Sequence, residues 1–345
     1  MDPLTQGVLG ASLPQATASR RNTVVAGILG FLAGMAPDLD VLIRSSNDPL
    51  LFLEFHRQFT HALVFIPIGG LLCALVLHAL LGRRWQLPFS RTLLFCTLGY
   101  ATHAVLDACT TYGTMLFWPF SNARIAWNTV SVIDPLFTLP IVCLVLFATL
   151  RKQPVLARVA LVWAVFYLTL GLWNRNAAVD LGHALAESRG HSPLRLEAKP
   201  SFANILVWKV VYETQERFYV DAVRVGVTPR IFAGDSVAKL DIARDLPWLA
   251  PDSQQARDIE RFRWFSNGYI ARDPKNSNRV IDVRYSMVPN QVDALWSIEL
   301  LPDVPSNQHA RYLTHRDPRQ DSVSSLWAMI EGRGGSAPEY LLGGG

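Results

Sequence analysis

Three histidines and four aspartates that interrupt or border apolar stretches of this chain could act together, while a fourth histidine, His78, stands near a helix end and suits an interfacial position. His56 and His61 lead into one hydrophobic run, His103 and Asp107 lie inside another, Asp38 and Asp40 end a third, and Asp134 opens a fourth. An ionisable side chain in such a run is costly and marks a functional site by default. Imidazole nitrogen and carboxylate oxygen are the ligands used for zinc, manganese and iron. Asp38, Asp40, His56, His61, His103, Asp107 and Asp134 are therefore candidate ligands for a divalent cation, zinc or manganese. His103 and Asp107 are four residues apart, so a helix puts them on one face. Asp38 and Asp40 alternate, and in an extended turn both reach one cavity. The set is large enough for one ion or two, and paired ions serve hydrolysis of phosphoryl or acyl groups.

Each residue also has an ordinary reading. Asp134 precedes Pro135, the pattern of a helix N-cap with proline at the first position, so it is a cap, a ligand or both. Asp38 and Asp40 suit a solvated turn, and Arg57 and Arg124 suit topology or headgroup anchors. An ion pair is the alternative for His103 and Asp107. Both of those residues occupy an otherwise apolar run, which makes them the hardest to explain without a ligand.

The elements that must position these residues are membrane helices. A bilayer core takes about 20 apolar residues as helix. Ala62–Leu81, Thr92–Cys109, Pro135–Leu150 and Val155–Trp173 fit, and Thr23–Ile43 is a fifth, ending as helix near Pro37. Basic residues orient them. Arg20 and Arg21, then Arg83, Arg84 and Arg91, then Arg151, Lys152 and Arg158 mark the cytoplasmic connections. About five spans then bring all the polar candidates to the opposite face and leave the second half of the chain outside the cytoplasm.

That second half changes character. Alternation of apolar and polar residues predicts strands at Ile205–Tyr212, Arg217–Val225, Val280–Val288 and Ala294–Leu301, with a helix at Ser253–Phe265. The expected architecture is an α-helical multi-pass membrane domain at 1–175, a helical connector at 176–197, a small soluble α+β domain at 198–330 and a flexible tail at 331–345. Cys73, Cys96, Cys109 and Cys143 all fall in or beside apolar segments, which argues against a disulfide framework. The net charge of +4 is small for 345 residues, and no basic stripe is interleaved with aromatics, so nucleic acid is not an expected partner.

Several short motifs act together. MDPLTQ at the start, PDLD at 37–40, HRQFTH at 56–61, HAVLDACTTYGT at 103–114, PFS at 119–121 and IDPLFTLP at 133–140 resemble the LexA-regulated, membrane-bound metal-dependent hydrolases of bacterial inner membranes. The resemblance covers roughly residues 1–175, and KPSFANILVW at 199–208 with YVDAVRVG at 219–226 is similar to the tail of longer members. It implies a membrane-embedded hydrolase with Asp38, Asp40, His56, His61, His103 and Asp107 at its site. The expected reaction is hydrolysis at the outer face of the inner membrane, on a lipid or lipid-like phosphate or ester. Asp38 would be the general base, and Arg57 and Arg124 would hold an anionic phosphate. The alternative is a non-enzymatic transporter or a metal-stabilised scaffold with a partner-binding outer domain. A transport pathway would leave polar residues at several depths, whereas these gather at one face.

Overall fold

The computed structural model describes residues 1–315 and 320–338, and the chain divides into two compact units. The first comprises Met1–Ile43, Phe55–Leu172 and Phe202–Asn204; the second comprises Arg44–Glu54, Trp173–Ser201 and Ile205–Gly345.

The first unit is helical. α1 (Pro3–Thr17) is capped by Asp2, whose carboxylate accepts the Thr5 N–H at 3.0 Å. α2 (Thr23–Met35) tightens into a 3-10 turn over Ala36–Leu42, where Pro37 cannot supply an α-helical N–H. After the short α3 (Leu51–Phe55), two further 3-10 turns at Phe59–His61 and Leu63–Phe65 lead into α4 (Ile66–Leu77), which widens over His78–Gly82. α5 (Phe89–Cys109), α6 (Pro135–Arg151) and α7 (Pro154–Ser188) follow. Among the described residues, four helical stretches are long and apolar enough to cross a membrane: Arg20–Leu42, Leu63–Gly82, Phe89–Cys109 and Pro154–Ser188. Pro135–Arg151 is a shorter apolar helix beside them, so the multi-pass architecture is as expected.

α1 was not among the expected spans. Thr5, Gln6, Ser12 and Gln15 break up its apolar pattern, yet all four are buried, because the helix is covered by protein rather than exposed to lipid. It packs on α2 through glycine, and α2 packs on α5 in the same way. A Cβ at Gly10 would lie 2.7 Å from the Gly30 carbonyl oxygen, and one at Gly99 would lie 2.5 Å from that same oxygen. These helices therefore meet backbone on backbone.

The second unit holds two antiparallel sheets. In the first, β1 (Arg195–Pro200), β2 (Val207–Glu213), β3 (Arg217–Arg224) and β4 (Arg230–Phe232) are adjacent in that order, and β5 (Ser236–Ala238) also pairs with β3. α8 (Ile242–Asp245) and α9 (Gln254–Phe265) precede the second sheet. That sheet orders β6 (Ile270–Asp273), β7 (Asn276–Asp282), β8 (Trp296–Glu299) and β9 (Arg311–Thr314) in sequence. α10 (Gln320–Glu331) closes the unit. Val211, Phe218 and Val220 from one sheet pack with Tyr269, Ile281 and Val283 from the segment containing the other, forming an α+β core.

The expected boundaries shift in places. The helical part of the connector is the upper end of α7, which ends at Ser188, and the connector's last residues already belong to β1. The strand expected at Val280–Val288 starts earlier and stops at Asp282. Within the expected tail, Ser336 pairs with Ile231, while residues 339–345 lie outside the described residues. The segment Arg44–Glu54, which includes all of α3 but its last residue, folds with the second unit, where Arg261 of α9 donates to Asp48 at 2.8 Å.

Candidate metal centre

Three segments of the first unit supply the site. The 3-10 turn after α2 carries Asp38 and Asp40. The stretch before α4 carries His56, Arg57, Thr60 and His61, with Arg57 held at a φ of 65°. The last turns of α5 carry His103 and Asp107, both fully buried.

Four side chains converge. His61 Nε2 and His103 Nε2 are 2.9 Å apart. Asp38 Oδ1 lies 3.4 Å from each of these nitrogens, and Asp107 Oδ2 lies 3.4 Å from His61 Nε2 and 3.8 Å from His103 Nε2. The partners of the opposite ring edges assign the tautomers. His103 Nδ1 faces the Gly34 carbonyl at 2.6 Å, so it carries the hydrogen. His61 Nδ1 faces Thr60 Oγ1 at 2.9 Å and Asp40 Oδ2 at 3.3 Å, and it carries the hydrogen too. Both Nε2 atoms are then bare lone pairs aimed at each other and at two carboxylate oxygens.

Asp107 Oδ2 is buried without a hydrogen-bond donor. Arg57 Nε stands 3.0 Å away, but out of line for a hydrogen bond, so the contact is electrostatic only. Asp107 Oδ1 is satisfied by Gln6 Nε2 at 2.7 Å and by the Met1 amino nitrogen. Asp38, Asp40 and Asp107 all lie within 3.4 Å of the His61 ring nitrogens, so this pocket favours positive charge. Two nitrogen and two oxygen donors that converge in this way fit one divalent cation. A second group, Asp38, Asp40 and His56, also has ligand atoms within 4.8 Å of one another, so Asp38 is common to both.

The remaining expected residues have other surroundings. Asp134 is in neither group. Its Oδ1 accepts the Leu136 and Phe137 N–H groups at 3.1 and 3.2 Å, and its carboxylate accepts the Tyr167 hydroxyl at 3.0 Å, which makes it the N-cap of α6. Arg57 is buried beside Asp107, donates to Thr110 Oγ1 at 3.0 Å and lies over the Tyr112 ring. It thus balances the charge of the Asp107 carboxylate. Arg124 donates to the Gly113 carbonyl at 3.0 Å, next to the Thr114–Ile125 bridge. Sequence reasoning assigned no role to Gln6 or to the Gly34 carbonyl. Gln6 lies within the MDPLTQ motif, but nothing in its residue type points to Asp107, and a backbone carbonyl leaves no sequence signal.

Comparison with known proteins bears on the membrane assignment. A family model described as YdjM inner membrane protein matches residues 1–178. The inner membrane protein YbcI of Escherichia coli (strain K12) is 35% identical over 108 residues, which is 30% of this chain and 60% of that relative. The match thus spans about 60% of the relative's length. No solved structure matches the chain. The family match covers more than half of the chain and includes every member of the histidine–aspartate cluster, so the chain belongs to the YdjM inner membrane protein family.

Proposed function

We propose that this inner membrane protein is a metal-dependent hydrolase whose buried cluster of Asp38, His61, His103 and Asp107 holds zinc or manganese near the outer face of the membrane. The observation that carries the proposal is the convergence of two bare imidazole nitrogens and two carboxylate oxygens in a buried site, with a 2.9 Å nitrogen–nitrogen approach that a cation would relieve. A divalent cation there supplies Lewis acidity and makes nearby water acidic enough to be a nucleophile at neutral pH. The chain's own residues do the rest. Arg57, 3.0 Å from Asp107, balances that carboxylate's charge from outside the ligand set. Asp38, 24% exposed, is the member of the cluster that also reaches the surface, and it is placed to accept a proton from the attacking water.

A lipid-like phosphate or ester is the proposed substrate class. The turn that carries Asp38 and Asp40 also presents Leu39 and Leu42 outward, and Leu63 and Val64 are exposed just after His61. Phe117 and Phe120 are exposed in the segment that follows α5. Apolar surface this close to the ligands suits acyl chains beside a headgroup. The distribution of arginine and lysine among the connections supports an extracytoplasmic second unit.

The test is metal analysis of the purified full chain, followed by incubation in micelles with extracted lipids and added Zn²⁺ or Mn²⁺, with products read by mass spectrometry. Bound metal and a lipid product that chelator abolishes are expected. A chain that binds neither ion sinks the proposal, and cleavage of soluble esters alone sinks the lipid assignment. A periplasm-dependent reporter fused within the second unit should be active, and one fused near Arg84 should be silent.

A further inference from the structure

Asp40 shares a turn with Asp38, but it meets the His61 ring at its other edge. Asp40 Oδ1 faces His56 Nδ1 at 2.7 Å. Its Oδ2 accepts the Arg57 backbone N–H at 2.9 Å and the Thr60 hydroxyl at 2.9 Å, and the side chain is fully buried. A carboxylate offers about four lone-pair sites, and three are committed to the 56–61 segment. Thr60 has one hydroxyl proton, and it is given to Asp40. Its remaining lone pairs face His61 Nδ1 at 2.9 Å, which must therefore bear the ring hydrogen. The Tyr100 hydroxyl donates to the Thr60 carbonyl at 2.7 Å and pins the residue in place. Arg57 adopts a left-handed φ of 65°, rare for an L-residue, and this conformation delivers its N–H to Asp40.

We infer that Asp40 and Thr60 are positioning residues: together they hold His61 with its Nε2 lone pair on the buried cluster, and Asp40 is not itself a ligand. The inference rests on the metal reading above and divides the acidic residues by task. Asp38 and Asp107 face the Nε2 atoms, whereas Asp40 faces Nδ1 and organises the segment behind it. Making Asp40 a ligand would free His56 and Thr60 and release the His61 tautomer. Carboxylates and hydroxyls in this outer position fix ring orientation and ligand basicity, and their loss typically weakens metal binding roughly 10–100-fold without changing the ligand count.

The experiment uses the full chain in detergent micelles, with Zn²⁺ affinity measured by competition against a chromophoric chelator and coordination read from Co²⁺ absorption. Thr60→Val and Asp40→Ala are expected to bind as many ions as the unmodified chain, with the same Co²⁺ band intensity and a roughly 10–100-fold weaker affinity. Asp40→Asn should fall between, because its amide oxygen can still accept the Thr60 hydroxyl. Loss of an ion or an altered Co²⁺ coordination in Asp40→Ala would make Asp40 a ligand and overturn the inference. Undiminished affinity in Thr60→Val would overturn it as well. Should Asp40→Ala not fold, Thr60→Val decides alone, since valine has the same shape and strands no charge. Absence of Co²⁺ from the unmodified chain is a distinct result, because it removes the metal reading and the inference together.

Discussion

Replacing His103 with asparagine isolates the contribution of one donor. The asparagine amide nitrogen sits close to where Nδ1 sits, so it can keep the bond to the Gly34 carbonyl, now 2.6 Å long, while Nε2 is removed. Four donors converge in the buried group. Structural zinc sites of four ligands bind with about 10–16 kcal/mol, so one ligand carries roughly 2.5–4 kcal/mol, or a factor of about 10² to 10³ in affinity. Thermal melts in micelles, with and without free metal, convert this into stability. At a free concentration about 100 times the unmodified chain's Kd, binding adds about 2.7 kcal/mol to folding. A variant weakened about 100-fold gains only about 0.4 kcal/mol under the same conditions. The metal-dependent rise in Tm should therefore nearly vanish, while the melts in chelator stay close together. A full metal-dependent rise in His103→Asn would refute the assignment of Nε2 as a donor.

Three further outcomes follow from particular contacts. Gly99→Val places a branched side chain where a Cβ would already lie 2.5 Å from the Gly30 carbonyl oxygen, so α2 and α5 must separate; a loss of about 1–3 kcal/mol or more, with weakened metal binding, is expected in melts and chelator competition. Asp134→Ala removes the cap of α6 and strands the Tyr167 hydroxyl, costing about 1–3 kcal/mol, while Zn²⁺ affinity measured by competition stays unchanged. Lys209 is buried in the second unit, and burial, only partly offset by Asp282, Asp235 and Asp221, pushes its amine from 10.5 down to about 7. Between those values the unfolded chain holds a proton that the fold releases, so stability rises with pH across that window and the full cost is present below it. Denaturant melts of Lys209→Met should lack that slope, and a slope equal to the unmodified chain's would show that Lys209 is not its source.

The convergence at the site was legible because its members are expensive where they stand. His103 and Asp107 interrupt an apolar span at a four-residue spacing, and only a shared partner repays that placement. Residue type could not separate Asp40 from Asp38, because the distinction lies in which ring edge each carboxylate meets, a matter of turn geometry. Asp134 illustrates the same limit: an aspartate before proline at a helix start reads as cap and as ligand, and only the Leu136, Phe137 and Tyr167 contacts show the cap. α1 was hidden for a different reason. Hydropathy detects contact with lipid, and this helix is buried by α2, α5 and α6, so buried polar residues such as Gln6 and Gln15 are tolerated there. The second unit's longer strands alternate clearly, whereas β4, β5, β6 and β9 span only three or four residues and carry too little pattern to be read alone.

The glycine contacts among α1, α2 and α5 bear on how the site behaves in a living membrane. Bilayers change thickness and lateral pressure with temperature and lipid supply, and helices separated by side chains can adjust through rotamer changes. Where Gly10 and Gly99 lie against Gly30, no side chain intervenes to be rearranged and little free volume remains to be squeezed out. The spacing between the turn bearing Asp38 and the helix bearing His103 is thus set by main-chain dimensions. It should stay constant while the lipid-facing surfaces of the same helices adapt to whatever bilayer surrounds them.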